Sequence, residues 1–563
     1  MSTTFLTSTP VWTRRIANEL WSGPVTPLTY SLLAEPMAEH MVRRPLRTAG
    51  LDDLAGLPVF RQHASHVYVN ATLLSEVVRR LPSALRSEGL LGFLPASARA
   101  GLGPGTSWLG GITQALAIAE RAWRNEPDWA PWARADAFDR ECVEVRRGFQ
   151  NRGTFGAKPS PTELCDELVR VAERLGHYLD VVSWGMVFAY DFFHLLHELC
   201  RRWAPHLAED AAALTVGLPG IASLEAHHDL RAATPLLREE PASAAALAAG
   251  DFRAAAAVLA AHPGRAGQAF RGVLRVHGHR LSGRDLACPT WNEAPHLVVE
   301  LAASGANGGT ALLDRAAAVR RRIAATTRLE ETIGQGLGGF ARRALFRLVL
   351  AQAQRYYAVR ENMRYHADFF LARLRVITRA FGTELVAAGR VNDVDDVFWL
   401  DVDELVHAAT ATGAEPADLR ARIALRRAAR ARDTERPPPE TLDEPAPSGK
   451  TDGGGELIGE IGAPGRAVGT ARIVTGPEDF ERVRPGDVLI AVYTDPGWTT
   501  VLERAAALVL EAGGVLSHGA IVARELGIPA LVGVAEATRA VHDGDEVEVD
   551  TAAGRLRVVG STR

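Results

Sequence analysis

The sequence predicts a large, mainly α-helical region followed by a compact α/β domain, and three observations carry that expectation. From Leu164 to Trp203 and from Ala311 to Ala388, apolar residues recur at three- and four-residue spacing between arginines and glutamates. That is the period of helices burying one face. Between Arg436 and Gly455 the composition changes to prolines and then glycines, which reads as a tether. Beyond it come short β-branched runs, Ala471-Arg-Ile-Val474, Val488-Leu-Ile-Ala-Val492 and Glu546-Val-Glu-Val549, punctuated by Gly and Pro. The expected organisation is a helical region over 1–435, a linker over 436–455 and an α/β domain over 456–563.

In chain order, strand-like insertions are expected near Leu57–Phe60 and His66–Asn70, and the alanine-rich Pro241–Ala261 reads as a pair of helices. No fixed-period repeat occurs, which argues against a solenoid. A net charge of -4 gives no basic footprint for nucleic acid. Basic charge is nearly all arginine, since only Lys158 and Lys450 are lysines. Cys142, Cys165, Cys200 and Cys288 show no metal spacing and read as reduced thiols, which with the absence of a signal-like N-terminus points to the cytoplasm. No apolar stretch reads as long enough to cross a bilayer.

His518 lies in Gly513-Gly-Val-Leu-Ser-His-Gly519, after the strand-like Ala507-Leu-Val-Leu510 and at the start of a helical stretch. Imidazole is a nucleophile usable near neutral pH, and free amides at a helix N-terminus favour an oxyanion. His518 is therefore the candidate site of a covalent phosphoryl intermediate, with a helix-capping histidine as the alternative. Arg524 could reach the same anion, and Ser517 could bond it or hold the imidazole tautomer. With Gly486-Asp-Val-Leu-Ile-Ala-Val-Tyr-Thr-Asp-Pro-Gly-Trp498 upstream and Asp543-Gly-Asp-Glu-Val-Glu-Val-Asp550 downstream, this segment resembles the swivelling phosphohistidine domain of the phosphoenolpyruvate-utilising enzymes, from about Glu456 onward. The resemblance implies a phosphorylated His518, with Ser517, Gly519, Arg524, Thr494, Asp495 and Trp498 supporting its loop.

Earlier segments resemble, in the same order, the substrate-binding region of rifampicin phosphotransferases: Trp21-Ser-Gly-Pro-Val-Thr-Pro-Leu-Thr-Tyr30, Gly217-Leu-Pro-Gly220, Gly278-His-Arg280 with Asp285 and Pro289-Thr-Trp-Asn-Glu293, Val359-Arg-Glu-Asn-Met-Arg364, and Asp395–Leu405. Those enzymes begin with an ATP-grasp domain, whereas this sequence opens directly at the Trp21 motif. No Walker-type run occurs, Gly153–Lys158 having the wrong spacing, and Gly101–Gly105 and Gly305–Gly309 read as loops. ATP and Mg²⁺ are thus expected only through a separate ATP-grasp subunit.

Transfer from imidazole to an alcohol asks for positive charge and a base, which Arg360, Glu361 and Arg364 supply, with 360 and 364 expected on one helix face. His279, Arg280, Asp285 and Trp291 form a second, substrate-binding candidate set. Asp191, His194 and His197 share a helical face but are read as a polar stripe, and no metal site is assigned. The tryptophans allow a wide apolar pocket. The expected function is a phosphohistidine-dependent phosphotransferase component acting on a hydroxyl of a hydrophobic small molecule. The alternatives are a secondary-metabolism enzyme in which phosphorylation drives dehydration or cyclisation, and a non-catalytic binding relic.

Overall fold

A computed structural model describes residues 10–560 apart from 22, 81–85, 87–90, 92–93, 96–97, 100, 103–107, 127–129, 151–158, 306–314, 411–415, 437, 444–455 and 495–497. The glycine-containing run 153–158 and Asp495 lie outside the described residues. The helices that frame the site are α1 (Ala17–Leu20), α2 (Pro27–Met37), α3 (Pro161–Trp203), α4 (Ala222–Glu239), α5 (Arg265–His277), α6 (Arg315–Ile333), α7 (Gly339–Ala387) and α8 (Pro416–Glu435).

Two of these helices are long, α3 with 43 residues and α7 with 49, and they pack along one another. Ser160 opens α3 with a capping box: its side chain accepts from the Glu163 amide while Glu163 returns to the Ser160 amide, and Pro161 follows where a missing N–H costs nothing. Gly338, at φ +78°, precedes α7 in a conformation that favours glycine. Between the two helices lie Leu168, Leu175, Tyr178, Val182, Phe188, Tyr356, Met363, Phe370 and Leu374, all in one buried cluster. An 18-residue window of α3 is long and apolar enough to span a membrane by composition, contrary to the sequence reading. Half of it is buried inside the protein, as expected of a core helix.

The strand-like insertions form a small sheet. β1 (Trp12–Thr13), β2 (Phe60–His63), β3 (His66–Asn70) and β4 (Thr441–Leu442) are arranged in the order β2-β3-β1-β4. Strand β4 comes from the stretch expected to be a free tether. It pairs with β1 as Trp12↔Leu442 and Thr13↔Thr441, while Tyr68 donates to the Pro439 carbonyl at 2.6 Å and the Arg14 amide donates to Glu440 at 2.9 Å. The first part of the proline-rich stretch is thus an edge strand on the helical region, a position that tolerates nearby prolines.

The C-terminal unit holds β5 (Glu456–Ile458), β6 (Glu460–Ala463), β7 (Arg466–Ile473), β8 (Val488–Ala491), β9 (Ala507–Leu510), β10 (Ala530–Val532), β11 (Glu546–Asp550) and β12 (Arg555–Gly560), in the order β5-β12-β11-β7-β8-β9-β10-β6. The centre, β7 to β10, is parallel, and the flanks are antiparallel. Every residue of β8 and β9 is buried, which explains why they read as continuous apolar runs without alternation. Helices α9 (Thr499–Leu502) and α10 (His518–Leu526) cover one face of this sheet. Leu516 and Ile521 belong instead to the core shared with α3 and α7, so this unit is docked against the helical region.

Candidate active site

The crossover from β9 to α10 builds the centre of the site. Gly513, at φ +102°, turns the chain, and Ser517 caps α10 by accepting from the Ala520 amide at 3.5 Å. His518 is therefore the first residue of the helix, and Ser517, which caps it, also lines the pocket beside the imidazole. Gly519 is dictated by packing: a Cβ there would collide with Thr494 Oγ1 and sit 2.8 Å from Leu510 Cδ1. Thr494 therefore lies directly against the residue that follows His518. Trp498, 2% exposed, packs edge-on to Phe480 behind it.

His518 is 3% exposed, and its Nδ1 lies 3.4 Å from Glu361 Oε2 on α7. Neither ring nitrogen makes an aligned hydrogen bond among the described residues. Glu361 Oε2 accepts from Ser223 Oγ at 3.0 Å, while Glu361 Oε1 is buried with no hydrogen-bond partner among them. Burial alone would raise this carboxyl, but the imidazole of His518 and the guanidinium groups of Arg360 and Arg364 outweigh it and hold its pKa down to about 2. A carboxylate facing Nδ1 leaves Nε2 as the nitrogen for chemistry.

A pocket of about 290 Å³ adjoins the imidazole, bounded by Arg15, Asn18, Arg364, Tyr493, Thr494 and Gly513. Arg364 also lines a second space, an apolar cleft of about 640 Å³ whose wall includes Leu20, Trp21, Met37, Met41, Tyr178, Leu179, Met363 and Leu371. One residue therefore borders both the histidine pocket and the cleft. The first space is lined mainly by polar and charged side chains, and the second is mostly apolar, as small-molecule sites commonly are.

Several sequence expectations need correction. Arg360 lies one turn before Arg364 on α7, but its guanidinium sits 5.4 Å over the Tyr190 ring and donates to the Tyr190 hydroxyl at 3.1 Å, facing α3. Its charge also acts on Glu361. Arg524 turns away from the pocket, donating to the Gly462 carbonyl and lying over Phe193 and Tyr357 at 5.5 and 5.9 Å. Asp285 is a staple rather than a substrate ligand. It accepts from the Thr26 amide at 2.8 Å and hydroxyl at 2.6 Å, from Thr29 at 2.7 Å and from Arg430 at 2.6 Å.

His279 stacks on Phe369 with centroids 3.6 Å apart, lines neither space, and is kept well below its ordinary pKa by burial and by Arg280. Arg280 in turn covers Trp291 at 4.8 Å, and Trp291 is buried in the cluster of α4 and α5. For the stripe on α3, burial pushes Asp191 up to about 7, while burial together with the nearby charges of Arg524 and His194 pushes His197 down to about 4. No group of three metal-ligand side chains occurs among the described residues.

Sequence reading missed Arg15, Asn18, Tyr493 and Ser223, because nothing local marks them; they meet His518 or Glu361 only through the tertiary fold. It also missed the interface carboxylates. Glu503 accepts from Arg231 at 2.6 Å and lies 2.8 Å from His227 Nε2, and Glu525 accepts from the Gly217 amide at 2.9 Å. Gly217, at φ +59°, has no room for a side chain beside Val319 and Ala318, which accounts for its motif.

Residues 483–554 match the family described as PEP-utilising enzyme, mobile domain. This part of the chain is similar to the mobile domain of the PEP-utilising enzymes. Residues 182–361, which include α4 and Glu361, match the rifampicin phosphotransferase fourth domain, so both sides of the His518–Glu361 contact fall within this likeness. Among similar proteins, a Streptomyces rifampicin phosphotransferase is 30% identical over 65% of this chain and 43% of its own length. An uncharacterized Mycobacterium tuberculosis protein is 40% identical over 33% of this chain and 21% of its own length. The chondramide synthase of Chondromyces crocatus is 29% identical over 61% of this chain and 9% of its own length. The chain thus spans less than half the length of each.

Proposed function

We propose that this protein accepts a phosphoryl group on His518 Nε2 and transfers it to a hydroxyl of a hydrophobic small molecule bound in the cleft between α2, α3 and α7. The reading rests on Arg364, which borders both the histidine pocket and the cleft, beside Glu361 at 3.4 Å from the imidazole. In the transfer, the Nε2–P bond breaks as the acceptor oxygen forms its bond to phosphorus. Glu361 Oε2 stabilises a proton on Nδ1, which makes the imidazole a better leaving group, and the unpartnered Oε1 takes the proton of the attacking hydroxyl. Arg364 and Arg15 offset the charge of the moving group.

Charging of His518 is assigned to a separate ATP-grasp subunit, with ATP and Mg²⁺ as its substrates, in the cytoplasm. The similarity to chondramide synthase supports a place in secondary metabolism, and product mass separates a retained phosphate from one lost in dehydration or cyclisation.

The test is incubation with radiolabelled ATP and a candidate ATP-grasp partner. An acid-labile label that disappears in His518→Ala supports the proposal. A label on any other residue, or none with a partner shown to be active, overturns it.

A further inference from the structure

The apolar cleft carries a one-sided set of polar groups. Among the described side chains that line it, the polar ones are Tyr178, Arg284 and Arg364. Tyr178 is engaged, since its hydroxyl donates to the Met363 carbonyl at 2.6 Å. Arg364 faces the histidine pocket as well. Arg284, in the loop after α5, is only partly exposed and makes neither a hydrogen bond nor an ion pair with any described residue. The lining therefore offers positive charge and N–H donors, with no carboxylate or uncommitted side-chain hydroxyl to accept from a ligand.

Asp368, one turn beyond Arg364, is the nearest countercharge behind this wall. Burial raises its carboxyl, and Arg284, Arg280 and Arg364 pull it back, yet it does not pair with Arg284. A partly buried guanidinium without a partner is costly, and a bidentate carboxylate is the group that best matches its fork.

We propose that the acceptor is an amphiphilic acid, with its apolar body in the cleft, a carboxylate on Arg284, and its hydroxyl presented to Glu361 and His518. This rests on reading the cleft as the acceptor's seat. It goes further in assigning Arg284 as the residue that selects an anionic over a neutral alcohol, because a neutral ligand would desolvate the guanidinium without pairing it.

Isothermal titration of the full chain with 10-hydroxydecanoate and with its methyl ester tests this without any phosphoryl donor, so its outcome is independent of His518 labelling. The acid should bind at least about tenfold more tightly than the ester, in line with a charged hydrogen bond. Arg284→Met should lower acid affinity to the level of the ester, and Arg284→Lys should keep most of the preference, which guards against a merely structural loss. Equal binding of acid and ester, no binding of the acid, or a preference that survives Arg284→Met would each overturn the proposal.

Discussion

At the residue scale, the proposed transfer gives the two oxygens of Glu361 different jobs. Oε2 is held by Ser223 and faces Nδ1, whereas Oε1 waits unpartnered in a buried space. Glu361→Gln keeps the shape but removes the charge and the base. We expect phosphorylation of His518 to persist in this variant while transfer to the acceptor slows by about 10²–10⁴-fold, the usual worth of a general base. Single-turnover transfer from pre-labelled protein reads this directly, and equal loss of labelling and transfer would contradict the assignment. Gly519 is a packing requirement beside the nucleophile. Gly519→Ala should lower stability by about 1–3 kcal/mol through overpacking against Thr494 and Leu510, measured by denaturant unfolding.

At the scale of elements, α9 and α10 of the C-terminal unit grip α4 and the Gly217 turn. The Glu503 carboxylate is buried with Arg231 and His227. Glu503→Ala should weaken docking by about 1–3 kcal/mol, because it leaves buried donors unpaired. Faster proteolysis within 443–455 is the readout. Glu525 adds a pH term. Burial pushes its carboxyl up to about 7, against the pull of the Gly217 amide and of Arg524, Arg321 and Arg322. A carboxyl raised from 4.5 favours the docked state when protonated, so its contribution is complete below pH 4.5 and fades as pH rises through about 7. Small-angle scattering should show expansion across that window, and Glu525→Gln should flatten it.

At the scale of the whole molecule, the proposed function requires His518 both in this docked position and at a donor site. Strand β4 ties residues 441–442 to the small sheet, so the stretch up to 442 belongs to the helical region rather than to a tether. Deleting residues 446–453 should block charging of His518 while leaving acceptor binding in the cleft intact, as titration of the deleted and full-length chains would show.

The split between helical and α/β regions, the helix start at His518 and the core faces of α3 and α7 were legible in the sequence. Each follows from local causes: apolar periodicity, a serine cap, glycine at a left-handed turn. The placing of Glu361 beside His518 was not legible locally, because the two residues lie far apart in the chain and meet only when α10 packs against α7. The same reason hid Arg15, Ser223 and Arg284, and led the sequence reading to count Asp285 and Arg524 as ligands when packing makes them staples. Local pattern determined which residues could do chemistry, and tertiary packing decided which face one another, since burial and charge pairing depend on neighbours that no local window contains.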